Sequence, residues 1–153
     1  MKLKLVPVLV VLASLTACAS MQTPQERADR SARIEAAAGP PVRYVQLVFG
    51  GFYAWDPIND HQVVTYVTPK RAYLLDLPPC PGIEHTPAIA ISTRMERINV
   101  NFDTVTPSAT GVPCHIRQIR PLDMSKLKQA NMAIKKNVQI QPRPQAQGGG
   151  SGS

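Results

Sequence analysis

Cysteine, acidic side chains and long apolar runs are the scarce features of this 153-residue chain. No stretch approaches the roughly 20 consecutive apolar residues of a membrane-spanning helix. No Gly-x-Ser-x-Gly elbow surrounds a serine, so the commonest sequence sign of a hydrolase nucleophile is missing. The 3 cysteines fall at no zinc-knuckle spacing. Acid is outnumbered, 10 against 17 basic residues, giving +7, yet no nucleic-acid-binding motif accompanies that excess. There is no internal repeat. Without a leader and a polar tail, roughly 100 residues remain, which allows one small domain and excludes a multidomain enzyme or receptor. At 44% hydrophobic and 18% charged, the chain is not wholly disordered.

What is present begins with an address. Met1-Lys2-Leu3-Lys4 is a short cationic start, and Leu5 to Leu15 is an apolar stretch containing Pro7, of signal-peptide length. Leu15-Thr16-Ala17-Cys18 then matches the bacterial lipobox: Leu at −3, a small residue at −1 and Cys at the cleavage point. The match implies a diacylglycerol thioether on Cys18, cleavage before it, and acylation of the new N-terminus. The plainer alternative is an ordinary secretory signal with an incidental cysteine. Several acyl chains anchor far more firmly than one, at roughly 0.8 kcal/mol per buried CH₂. Ala19 stands where aspartate would retain the protein at the inner membrane, so the expected location is the outer membrane, facing the periplasm.

Removing Lys2 and Lys4 with the leader lowers the charge to +5. From Cys18 to His115, eight basic and nine acidic residues nearly cancel, whereas Arg117 to Arg143 holds seven basic residues against Asp123 alone. Cys80 and Cys114 remain as an even pair in an oxidising compartment, which points to a disulfide. A metal site using His85 and His115 competes with that reading, although adjacent Cys-His side chains diverge on a strand.

Residues 18–41 are rich in Ala, Gln, Arg, Glu and Pro, and read as a flexible tether in which Pro24 starts a short helix. Residues 42–123 read as a β domain. Arg97 to Asp103 alternates, with Ile98, Val100 and Phe102 on one face. Further strands are expected at 44–49, 62–67, 71–77, 88–92 and 115–119, separated by Gly-, Pro- and Asn-rich punctuation that includes 56–60 and 107–113. The expected fold is mainly β, a small antiparallel meander, sandwich or barrel-like domain with one C-terminal amphipathic helix. That helix, 124–138, carries Met124, Leu127, Ile134 and Val138 on a stripe expected to pack over the sheet, with Asp123 or Ser125 as cap. Residues 139–153 read as a disordered tail or appended Gly/Ser linker.

Several segments together, Trp55-Asp56-Pro57, Ala72 to Leu77, Pro79-Cys80-Pro81-Gly82, Phe102-Asp103 and Cys114 to Asp123, resemble an uncharacterised family of small proteobacterial lipoproteins. The resemblance runs from about Arg43 to Leu127. It implies a compact two-cysteine envelope domain, and it brings no catalytic residue or cofactor.

The candidate sites are therefore surfaces. Lys126, Lys128, Lys135 and Lys136 would attract an anionic partner such as lipid headgroups or wall carboxylates, each contributing on the order of 1 kcal/mol near an anionic membrane. Phe52, Tyr53 and Trp55 flank Gly50-Gly51 and offer a binding edge. No catalytic residue, metal or cofactor is expected. His61, His85 and His115 would all have to converge to hold a metal. The leading expectation is a lipid-anchored, non-catalytic binding or structural module whose partner is another envelope protein or an anionic polymer. The alternatives are a small ligand-binding or hydrolytic domain with a groove around Trp55 and Asp103, the latter also pairing with Glu96, and an inhibitor or immunity-type lipoprotein.

Overall fold

The computed structural model describes residues 22–48 and 50–140, with side chains through Ile134. Helix α1 (Pro24–Ala37) begins where Thr23 and Glu26 form a reciprocal capping box. The Thr23 Oγ1 accepts from the Glu26 backbone N–H at 3.2 Å, while Thr23 N–H donates to Glu26 Oε2 at 2.7 Å. Pro24 opens the helix, where its missing N–H costs nothing. Ile34 and Ala37 are buried against the sheet. This corrects the tether reading: from Pro24 onward the segment is part of the folded body, because its few apolar residues recur at helical spacing on one side.

A four-stranded antiparallel sheet forms the centre, in the order β2 (Ala54–Asn59), β3 (Gln62–Thr68), β4 (Arg71–Asp76) and β9 (Gln118–Leu122). The remaining strands are β1 (Tyr44–Gln46), β5 (Ile89–Ile91), β6 (Arg97–Asn99), β7 (Thr104–Pro107) and β8 (Cys114–His115). They form a β1–β6 pair and a three-stranded β5–β7–β8 sheet. The fold is mainly β and antiparallel, and it is not a closed barrel.

Both faces of the central sheet are covered, so β3 is buried along most of its length rather than at alternate positions, Gln62 and Thr65 included. Val63, Leu75 and Ile119 point into the larger core, where they meet Val45, Ile98, Val105 and Ile116. Val64, Leu74 and Leu122 point the other way, onto Ile34 and Ala37 of α1. Cys80 and Cys114 are bridged, with Cα atoms 5.8 Å apart, tying the exit of β4 to the start of β8.

Helix α2 (Met124–Ile140) starts at Asp123, whose Oδ1 accepts from the backbone N–H groups of Ser125 and Lys126 at 3.0 and 3.1 Å. Met124 and Leu127 are half-buried against the α1-side core, but Met132 and Ile134 stay 52% and 40% exposed. The expected stripe is covered at Met124 and Leu127 and uncovered at Ile134, and the Val138 side chain lies outside the described residues.

Three strand expectations fail, the first being 115–119, which is divided between β8 and β9 with Ile116 and Arg117 outside both. Residues 56–60, read as punctuation, lie largely in β2, an outer strand that tolerates Pro57. The alternating run 97–103 stops at Asn99, leaving Phe102 exposed at 69% and burying Asp103 at 1%. Asp103 is the reason. Its Oδ2 accepts from the Asn99 backbone N–H at 2.7 Å and from Asn99 Nδ2 at 3.0 Å, closing a turn through Asn101 at φ +66°.

Candidate functional site

A hollow lies between α2 and the hairpin joining β3 to β4. It is an open groove of about 760 Å³. Tyr66 and Pro69 form the hairpin wall, and Met124, Leu127 and Met132 line the helix wall. At 100° per residue these three spread over about 140° of the circumference of α2, and at 1.5 Å per residue over about 12 Å of its length. Lys70 stands on the hairpin rim and Lys128 on the helix rim. Burial pushes the Tyr66 phenol up from its ordinary pKa, with Asp56 adding to the effect. It therefore enters the groove as a neutral, amphipathic wall.

A second cluster joins α1 to the sheet. Arg120 of β9 donates to both Glu35 oxygens, at 2.6 and 2.9 Å, and to both Asp76 oxygens, at 3.0 and 2.9 Å. Gln62, 6% exposed, closes the network by donating to Glu35 Oε1 and Asp76 Oδ1. The bond from Arg120 holds the Glu35 carboxyl below its usual range, and the same pairing pushes Arg120 up. Every charged group here is bonded to another, so the cluster is a clasp with no group left for substrate. One turn earlier on α1, Arg30 bonds Asp56 and the Pro57 carbonyl, covering the outer strand β2.

The third feature is a knuckle made of the Arg94–Arg97 turn and the β6–β7 turn. Arg94 and Arg97 exchange backbone hydrogen bonds at 3.0 Å, with Met95 and Glu96 between them at φ +52° and +57°. Two consecutive left-handed residues define a type I′ turn, normally the place for Asn-Gly. Met95 is 91% exposed at its tip. Arg97 lies over the Tyr44 ring, 4.9 Å from its centre.

The expected surfaces separate in space. Tyr53 is 69% exposed, but Phe52 is half-buried and Trp55 packs on the larger core, so the proposed edge reduces to one exposed aromatic. Lys126 and Lys128 are exposed on α2; the side chains of Lys135 and Lys136, like Phe49 and Cys18, lie outside the described residues. A groove around Trp55 and Asp103 is corrected: Asp103 is enclosed, and its Oδ1 is taken by the Ser92 hydroxyl at 3.0 Å. Glu96, exposed on the knuckle, makes no carboxylate pair with it. His61, His85 and His115 are all exposed, and no group of three metal-ligating side chains gathers among the described residues.

A family model matches residues 1–138. The chain belongs to a family of unknown function, DUF6491. The match to DUF6491 takes in residues 1–23, α1 and most of α2, beyond the Arg43-to-Leu127 span of the motif resemblance. No curated protein and no solved structure matches the chain. DUF6491 assigns no activity, so the geometry has to carry any functional reading.

Sequence reasoning missed the clasp and the groove. Asp76 and Arg120 both sit inside the motifs that carry the family resemblance, which was a usable signal for the clasp. The groove had none, because Met132 lies off the apolar stripe traced from Met124 to Val138.

Proposed function

We propose that this protein is a lipid-anchored, non-catalytic binding module of the bacterial cell envelope, held at the outer membrane through Cys18 and facing the periplasm. The observation that carries the reading is the start of α1. Its N-cap, Thr23, follows Cys18 by only five positions, about 17 Å at full extension. A domain whose first helix is clasped to its sheet, on so short a lead, would sit against the membrane surface rather than reach far from it. The exposed lysines of α2 favour an anionic envelope partner at that distance, well inside the range where such charges act. Binding is favoured over catalysis because Asp103, Arg120 and Glu35 are already committed to internal bonds.

Two measurements test this. Cys18→Ser should move the protein from the membrane to the soluble fraction, and retention in outer membranes would refute the anchor. Crosslinking in intact cells should then recover an envelope partner from the native protein. Failure to recover one under any crosslinking condition would count against the module.

A further inference from the structure

We propose that the groove between α2 and the β3–β4 hairpin binds one long-chain carboxylate, its hydrocarbon on Met124, Leu127, Met132 and Tyr66 and its head group at Lys70 and Lys128. At about 760 Å³ the hollow is in the size range of small-molecule sites. The apolar side chains of the helix wall are spread over about 12 Å of α2, a length that a linear hydrocarbon chain can follow. Two of the three floor residues are methionines, whose flexible side chains adapt to an apolar partner without a fixed outline.

Charge selects the head group. No carboxylate lines the groove, and both rims are cationic: Lys70 beside Arg71 on the hairpin, and Lys128 on the helix. From Met124 to Ser153 the sequence contains no acid at all. The chain's own residues 141–153 make a poor occupant, carrying Arg143 and no large apolar side chain. A second copy seated symmetrically would bring lysine against lysine. An anionic amphiphile satisfies both the apolar floor and the rims. The inference rests on the reading of the protein as a binding module but not on its anchorage.

The test uses the full chain carrying Cys18→Ser, so that no attached lipid competes, and calorimetric titration with monomeric dodecanoate below its micelle concentration. One saturable site is expected, with dodecylamine, the cation of equal chain length, at least about tenfold weaker. Lys70→Glu/Lys128→Glu should weaken dodecanoate by about tenfold, since each exposed charge pair contributes a factor of a few. Met132→Glu, at a half-exposed position that does not threaten the fold, should abolish binding, while Met95→Ser on the knuckle should leave it unchanged. Equal affinity for the amine, absence of saturable binding, or indifference to both groove variants would overturn the proposal. So would adsorption to phosphatidylglycerol vesicles without any binding of the monomer, which would make this face a membrane contact instead. Crosslinked partners read the module independently, so failure here is distinguishable from failure there.

Discussion

Replacing Arg120 by methionine keeps the aliphatic length of the side chain and removes all four of its charge-assisted hydrogen bonds to Glu35 and Asp76. What remains is two carboxylates sharing the single Gln62 amide. Breaking a fully buried ion pair costs about 3–5 kcal/mol, and an exposed pair is worth about 1 or less. The clasp lies between these limits: the Arg120 and Asp76 side chains are 17% and 20% exposed, but Glu35 is 40% exposed. The expected loss is therefore about 2–3 kcal/mol, a large share of the 5–15 kcal/mol that holds such a domain together. At about 4–8 °C per kcal/mol, the melting temperature should fall by about 10–20 °C. Urea denaturation followed by circular dichroism measures the loss directly. Glu35→Gln should cost less, and it carries a pH signature. Because Arg120 holds the folded-state Glu35 below its ordinary 4.5, the group's stabilisation is present above pH 4.5 and is lost as pH falls through the lower folded value. The parent and Glu35→Gln should accordingly converge in acid. An Arg120→Met chain within about 0.5 kcal/mol of the parent would refute the clasp as a structural element, since that is the scatter of ordinary surface changes.

Three further changes probe other parts of the fold. Cys80→Ala/Cys114→Ala opens a loop of sequence separation 34 and should cost about 3–4 kcal/mol by chain entropy, measured by urea titration against the oxidised parent. Gly82→Ala places a Cβ 2.7 Å from Thr110 Cγ2 at φ +81°, and should cost about 1–3 kcal/mol; a neutral effect in thermal melts would mean that the turn relaxes freely. Met95→Asn/Glu96→Gly supplies the residues that a type I′ turn favours, and should raise stability by about 1 kcal/mol; a loss would show that Met95 or Glu96 makes contacts worth more than the strain.

The legible parts of the fold were those governed by local pattern. The strands 62–67 and 71–77 and the start of α2 at Asp123 follow from runs of apolar residues and a capping side chain, and all appear in place. The misread parts are those where a side-chain hydrogen bond or ion pair, rather than the apolar period, decides the outcome. Phe102 has the right parity for a buried strand position, but Asp103 folds its carboxylate inward onto Asn99 and Ser92, which turns the chain and expels the ring. Periodicity cannot see that competition, because the hydrogen bonds of Asp103 are worth more than the strand register they interrupt. The α1 segment looked like a tether because it is polar almost throughout. Its docking depends on Ile34, Ala37 and ionic partners 26 and 85 residues away, Asp56 and Arg120.

The two helices lie on the same face of the central sheet and are held there by opposite means, and this asymmetry leaves the groove between α2 and the β3–β4 hairpin open. Helix α1 carries both signs of charge, and it meets Asp56 and Arg120 on the strands with Arg30 and Glu35 of its own. Each apolar contact it makes is therefore flanked by a matched ion. Helix α2 has no acid beyond its Asp123 cap, and the hairpin it faces ends in Lys70 and Arg71. No salt bridge can draw those two walls together, and like charges across the groove oppose closure. Met124 and Leu127 supply enough apolar burial to seat the first turns of α2, after which the helix carries Met132 and Ile134 out beside the sheet uncovered. An anion entering from solvent would supply the charge that the chain itself omits on this side. Of the C-terminal basic residues Lys128 lines this groove, opposite Lys70 of the hairpin, and a partner's negative charge would count between them.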